Sequence, residues 1–233
     1  MGKYTKQELL KLIKNRLIIS CQAAPGEPFY GPDLVARFAV AAANNGACAI
    51  RANTTADVKE IQRQVSVPVI ALIKKEYQAS DCYITPTMDE VDELVRETRA
   101  DIIAVDATKR PHPNGLLGSD FVGQIKKKYP DLVLMADIST VEEGLLAQEA
   151  GADLVSTTLS GYTDYSPRLE GPDFELIEAL SKRLSIPLVA EGRIWTREEL
   201  RKAFDLGAYS AVIGSAVTRP HEITKRFVSA ISI

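Results

Sequence analysis

Two lysines follow an apolar run in the stretch Val67-Pro-Val-Ile-Ala-Leu-Ile-Lys-Lys-Glu-Tyr77. A buried strand can end at Lys because the ammonium reaches water on a long apolar stem. An amine there can also be a reagent, as general base or Schiff-base nucleophile. What ends the other apolar runs bears on the choice. Gln22 follows Cys21, and Arg51, Asp106 and Asp137 close three further runs. Ser156-Thr157-Thr158 closes another, Glu191 follows Leu188–Ala190, and Gly214-Ser215 follows Ala211–Ile213. A lysine and a glutamate facing each other over a cleft make a proton-transfer pair. Two aspartates offer hard oxygen ligands to a divalent ion, or acceptors for substrate hydroxyls. The second use is the commoner, so no metal is expected. Thr157 and Arg193 join Gln22, Arg51, Asp106 and Asp137 as candidate substrate-binding residues.

The segments Glu191-Gly-Arg193 and Ile213-Gly-Ser-Ala-Val-Thr-Arg-Pro220 have the composition of oxyanion loops. Glycines let backbone N–H groups approach a phosphate, and an arginine adds charge-assisted bonds. Gly192, Gly214, Ser215 and Arg219 are the phosphate candidates. Other chemistries fit poorly. There are two histidines, and neither has a zinc-type spacing to a second His or a Cys. Cys21 has no histidine placed to act as its base.

The elements that must position these groups alternate regularly. Strands are expected at Leu17–Cys21, Ala47–Arg51, Val69–Ile73, Ile102–Asp106, Leu132–Asp137, Leu154–Thr157, Leu188–Ala190 and Ala211–Ile213, each followed by a helical pattern. An extra helix, Lys6–Lys14, comes first. Thr140-Val-Glu-Glu143 and Thr196-Arg-Glu-Glu199 read as capping boxes. Gly46-Ala47, Gly151-Ala152 and Gly207-Ala208 read as left-handed helix ends running straight into a strand. Eight βα units with no ninth predict a single-domain (β/α)8 barrel over residues 1–233. The alternative is an open doubly wound sheet, but the chain lacks GxGxxG and GxxxxGK[ST].

Strand parity separates the two lysines. Lys74 lies six residues after Pro68, and Glu191 lies four after Pro187. Both intervals are even, so equivalent prolines put both side chains on one face. If that face is the barrel interior, Lys75 points outward. Strands three and seven of eight are also diametrically opposed.

A formal charge of −3 and a hydrophobic fraction of 45% describe an ordinary globular chain. Such a charge excludes a strongly basic nucleic-acid binder. No apolar run is long enough to cross a membrane, the first residues are too charged for a signal peptide, and three scattered cysteines form no disulfide framework. A cytoplasmic location is expected.

Ile18-Ile-Ser-Cys-Gln22, Ala49-Ile-Arg51, Tyr83-Ile-Thr-Pro-Thr87, Asp106-Ala-Thr-Lys-Arg110, Met135-Ala-Asp-Ile-Ser-Thr140, Ser156-Thr-Thr-Leu-Ser-Gly-Tyr-Thr163, Glu191-Gly-Arg193 and Ile223-Thr-Lys-Arg-Phe227 occur in this order. Together they resemble the N-acetylmannosamine-6-phosphate 2-epimerase family. Phe29-Tyr30, where many members have Leu-His, departs from it. The resemblance implies a (β/α)8 barrel that interconverts N-acetylmannosamine 6-phosphate and N-acetylglucosamine 6-phosphate in sialic acid or amino-sugar catabolism, without a redox cofactor. It implies Lys74 and Glu191 as the acid/base pair. It also implies Gln22, Arg51 and Asp137 as sugar contacts, and Arg219 with the Gly214 region as phosphate contacts. The partner is then a phosphorylated amino sugar. A homodimer is expected through the apolar tail (Phe227, Val228, Ile231, Ile233). Two other readings stay open: a Schiff-base aldolase acting through Lys74, and a sugar-phosphate-binding barrel without catalysis.

Overall fold

The computed structural model of the chain describes residues 3–231, so Ile233 of the apolar tail lies outside them. Strands β1 (Leu17–Cys21), β2 (Ala49–Asn53), β3 (Val69–Leu72), β4 (Ile102–Asp106), β5 (Leu134–Asp137), β6 (Leu154–Ser156), β7 (Leu188–Glu191) and β8 (Ser210–Ile213) pair in sequence order into one closed barrel. All eight pairings are parallel, and β8 closes on β1 with Leu17 opposite Ala211. Helices α2 (Pro32–Asn44), α3 (Thr55–Gln64), α4 (Met88–Glu97), α5 (Gly118–Lys128), α6 (Val141–Glu149), α7 (Phe174–Ser181) and α8 (Arg197–Asp205) each follow a strand. The expected barrel is therefore the fold. The extra helix, α1 (Lys6–Ile13), plugs the bottom: its Leu9 and Ile13 are buried in the same cluster as the barrel interior.

That interior cluster explains the chemistry above it. It contains Ile18, Ala49, Ile70, Leu72, Ile102, Ala104, Met135, Leu154, Val189 and Val212. Two residues further along each strand, on the same face, stand Ser20, Arg51, Lys74, Asp106, Asp137, Ser156, Glu191 and Gly214. The apolar floor and the polar mouth are thus successive layers of one register. Lys75 has the opposite parity and leaves the barrel.

Both predicted capping boxes form, with Thr140 bonded to Glu143 and Thr196 to Glu199. Gly46, Gly151 and Gly207 adopt φ of 98°, 100° and 100° after their helices. Strand ends differ from expectation in two places that matter. β2 runs on to Asn53, so Arg51 lies inside the strand and not at its tip. β6 stops at Ser156, and Thr157–Leu159 form a 3-10 turn. Two short helices follow β8: the single turn α9 (Ser215–Thr218), then α10 (Pro220–Ser229).

Two glycines of α5 test the packing. A Cβ on Gly118 would lie 2.3 Å from the Ala107 carbonyl carbon, whereas one on Gly123 would meet nothing within 4 Å. Gly118→Ala should cost about 1–3 kcal/mol through overpacking. Gly123→Ala should stabilise by about 0.5–1 kcal/mol by restricting the unfolded chain. Urea unfolding of both variants measures the contrast.

Candidate active site

Over the barrel mouth lies a solvent-open cavity of about 340 Å³. Its floor is one guanidinium. Arg51, 1% exposed, forms a bidentate pair with Asp137, in which Nη1 donates to Oδ1 at 3.0 Å and Nη2 to Oδ2. The same Nη1 donates to Glu191 Oε2 at 2.8 Å. Thr158 Oγ1, with one hydrogen to donate, lies 2.8 Å from Asp137 Oδ1 and 3.1 Å from Glu191 Oε2. Strands β2, β5 and β7 are joined through the centre by this cluster. Burial pushes the Glu191 carboxyl up, and the charge of Asp137 adds to that; Arg51 acts in the opposite direction.

Lys74 rises on the far side, from a hairpin that prolongs β3. Its backbone bridges Ile84 in antiparallel fashion. Three side chains hold that backbone. Asn53 Oδ1 accepts the Lys74 N–H at 2.7 Å, and Thr85 Oγ1 accepts the Ile73 N–H at 3.2 Å. Glu90 accepts from Lys75 Nζ and from the Tyr77 hydroxyl, each at 2.8 Å. Thr54 and Thr85, with φ of 68° and 46°, flank these contacts. Such φ values are strained for β-branched residues, at about 1–3 kcal/mol each. The chain thus bears a local cost beside the strand exit that presents Lys74.

Lys74 as a whole residue is exposed at the open mouth of the cavity, and the cavity walls partly desolvate its amine. Burial, with the positive charges of Arg51 and Arg219, lowers its pKa to about 8 against the pull of Glu191 and Asp137. Among the described residues no carboxylate lies within ion-pair distance of its ammonium. Lys75 is the opposite case. Its bond to Glu90 raises its pKa above the usual lysine range, and its ammonium sits 5.0 Å from the Tyr77 ring centre. The two adjacent amines therefore differ in acidity as well as direction.

The β7 and β8 loops form the other wall. Gly192 has φ 114°, and Gly214 passes 3.5 Å from the Ser20 Cβ, measured from where its own Cβ would stand. The Ser215 and Ala216 amides open α9 and have no protein acceptor among the described residues. Arg219 lines the cavity and pairs with Glu27 at 3.3 Å. Trp195 also lines it, and the Arg226 guanidinium of α10 stacks 4.2 Å from its ring centre.

Of the residues expected from sequence, Gln22, Arg51, Lys74, Glu191, Gly192, Arg193, Gly214, Ser215 and Arg219 line this cavity. Three do not. Asp137 is fully buried under the floor on Arg51. Asp106 is fully buried and turned to Thr108 and Arg110, the latter at 2.6 Å. Thr157 points back to the β7 backbone, donating to Glu191 O and accepting its N–H; it is Thr158 that faces the mouth. Beyond Ser156 the strand gives way to the 3-10 turn, and that turn sets Thr158 toward the mouth and Thr157 toward β7. Arg193, with φ 56°, bonds the Ser160 and Gly171 carbonyls and so braces the loop after β6. Ser20, Tyr83, Tyr162 and Trp195 line the cavity without having been expected. Ser20, Tyr83 and Tyr162 lie within motif strings quoted above, but no parity rule reaches a loop tyrosine.

A closed barrel with an amine and a carboxylate at its C-terminal mouth, beside two glycine-bearing loops, has the architecture of a (β/α)8 enzyme. The sequence profile described as N-acetylmannosamine-6-phosphate epimerase matches residues 35–233. The chain belongs to the N-acetylmannosamine-6-phosphate 2-epimerase family. A relative of that name from Caldanaerobacter subterraneus is 55% identical over 226 residues, covering 97% of this chain and 95% of the relative. One from Clostridium perfringens is 52% identical over 96% of this chain and its own full length. The solved N-acetylmannosamine-6-phosphate 2-epimerase from C. perfringens superposes with a TM-score of 0.93 at 49% identity, covering 99% of this chain and 100% of that one. A thiamine phosphate pyrophosphorylase from Pyrococcus furiosus, at 17% identity and TM-score 0.61, shares the fold alone.

The lowered pKa of Lys74 has a stability consequence. Below pH 8 both the folded and the unfolded chain carry the charge, and the folded site disfavours it fully. The penalty fades between pH 8 and the unfolded value of 10.5, above which both states are neutral. Lys74→Met should therefore melt at a higher temperature than the parent at pH 7, and the difference should shrink above pH 8. Calorimetry across pH 6–10 reads this; an unchanged or lower melting temperature at pH 7 would contradict the environment described for Lys74.

Proposed function

We infer that this chain interconverts N-acetylmannosamine 6-phosphate and N-acetylglucosamine 6-phosphate by removing and returning the proton at C2. The observation that carries the reading is the pair Lys74 and Glu191. They stand on opposite strands with inward parity over one cavity, in a chain of this family. In the open-chain sugar, the C1 aldehyde acidifies the C2 proton. Inversion needs one group to take it from one face and a second to supply a proton on the other. Opposite sides of a barrel mouth offer that arrangement. A lysine lowered to about 8 can lose its proton far more readily than an ordinary one, and burial raises the Glu191 carboxyl against the opposing charge of Arg51.

Arg51 contributes electrostatically: its guanidinium lies under the reacting centre, where negative charge develops on the enolate. Its fixed bonds to Asp137 and Glu191 mean that it adjusts the reagents first. Asp137 acts through Arg51. The phosphate is assigned to Gly192, Gly214, Ser215 and Arg219, where loop amides and one guanidinium converge, with Gln22 beside them on β1. Glu27 then shares Arg219 with the phosphate. Arg193, Thr157 and Asp106 are assigned to support these walls. No redox cofactor enters this chemistry.

No described helix is long and apolar enough to cross a membrane, and a metabolic role of this kind fits the cytoplasm and amino-sugar catabolism. A homodimer through α10 is supported by the exposure of Phe227 (75%) and Ile231 (82%). Phe227→Glu should convert a dimer to monomer in light scattering; a wild-type monomer would refute the pairing.

The chemistry is tested by NMR of N-acetylmannosamine 6-phosphate with the enzyme in D2O. Deuterium should enter C2 as the epimer appears. Lys74→Ala and Glu191→Ala should each reduce exchange at least about 10³-fold, the upper range for a lost acid/base group, while Lys75→Ala keeps most of it. Retention of the C2 proton through long incubation would sink the reading. A stable Lys74 adduct after borohydride treatment with substrate would favour Schiff-base chemistry instead. The pH profile of kcat/KM should bend near 8. Arg219→Gln removes a positive neighbour and should move that bend upward.

A further inference from the structure

Beside the site lies a buried polar cluster that proton transfer does not use. Asp106 holds Arg110 at 2.6 Å and Thr108 at 2.7 Å. The Cys82 thiol donates to the Arg110 carbonyl at 3.4 Å. His112 sets its ring nitrogens 2.8 Å from Pro86 O and 3.1 Å from Asp106 O. Cys82, Asp106 and His112 are close enough to suggest a metal site. Their ligand atoms are nevertheless committed to protein partners, and Arg110 already supplies the positive charge.

What the cluster fixes is Arg110, and Arg110 reaches two tyrosines of the cavity. Its guanidinium lies 5.9 Å from the Tyr83 ring centre, and Nη1 donates to the Tyr162 carbonyl at 3.4 Å. Arg193 braces the same loop from the other side, through Ser160 O at 2.5 Å and Gly171 O at 2.8 Å. At Gly161, next to Tyr162, φ is 83° and a Cβ would come within 2.6 Å of the Arg193 guanidinium. Tyr162 is 56% exposed, yet its backbone is gripped between two arginines. A fixed aromatic at an open mouth is the mark of a surface built to meet a ligand.

Connectivity says which part of the ligand. C2 must lie between Lys74 on the β3 exit and Glu191 on β7. The carbon chain leads from C2 to the phosphate at the β7 and β8 loops. C1, with the oxygen that becomes the enolate, is set over Arg51 by the epimerase reading, which leaves the acylamino group for the side of the β3 hairpin and the β6 loop, where the cavity lining includes Tyr83 and Tyr162.

We propose that Tyr83 and Tyr162 form the subsite for the 2-acyl group of the substrate, a wall held in place by Arg110 on Asp106. The inference rests on the epimerase reading above. The Tyr83 hydroxyl has no protein partner among the described residues and can donate to the acyl carbonyl; burial keeps it protonated, with its pKa pushed up to about 12. The ring of Tyr162 covers the acyl alkyl group. Tyr83 and Tyr162 set specificity, and Arg110 is a positioning residue.

The test compares kcat/KM for N-acetyl- and N-butanoylmannosamine 6-phosphate. Two added methylenes should lower the wild-type value at least about tenfold, by collision with the wall. Tyr162→Ala should shrink that ratio about tenfold by favouring the longer acyl chain. Arg110→Ala should shrink it too, with Arg110→Lys between; a merely structural role would lower both substrates equally and leave the ratio alone. Tyr83→Phe should raise KM for both sugars more than it lowers kcat. An unchanged acyl ratio in active Tyr162→Ala and Tyr83→Ala overturns this subsite and leaves the epimerase reading standing. A wild-type enzyme that epimerises neither sugar overturns both.

Discussion

Everything at the barrel mouth depends on one guanidinium shared by two carboxylates. Arg51 cannot give up its proton, so its charge is permanent in a place that water barely reaches. A buried charge left without its partner costs about 3–5 kcal/mol. Asp137 and Glu191 are therefore needed by Arg51 as much as the reverse. The two are not equivalent. Asp137 takes both Nη atoms and is sealed below, while Glu191 takes one and keeps part of its edge on the cavity. The same cation that restrains Glu191 from neutrality helps to discharge Lys74 across the mouth. A single fixed charge thus opposes the rise of the Glu191 carboxyl and lowers the Lys74 amine.

Rigidity is unevenly distributed. Lys74 and Glu191 stand on a strand or at its exit, where parallel ladders, Asn53, Thr85 and Glu90 leave little freedom. The periphery comes from loops, and those loops borrow stiffness from side chains reaching across them. Arg193 and Arg110 do for the loop after β6 what hydrogen-bonded strands do for the barrel. Strained threonines at 54 and 85 fit the same division: backbone that would relax in isolation is held by its neighbours.

Much of this was legible in the sequence because period-two alternation is a strict geometric rule. It put Lys74 and Glu191 on one face and Lys75 on the other, and eight βα units implied closure. Arg51 was read as a strand tip because the apolar run ends there; β2 continues through Asn53, and so Arg51 became a floor. Asp106 shows the limit. Parity aims it inward correctly, but a partner four residues downstream, Arg110, captures it, and no periodicity encodes which of two neighbours wins a carboxylate. The expected strand end points to Thr157, but β6 stops one residue early and the turn that follows brings Thr158 to the mouth. The one-turn helix after β8 was beyond pattern, since four residues carry no period.

Trp195 is the chain's sole indole. It has one side on the cavity and the other under a guanidinium from the outermost helix. The tryptophan fluorescence of the protein therefore originates at a single spot between the cavity and α10. Nature has left an optical probe at the junction of the two, and its emission is sensitive to a change in either.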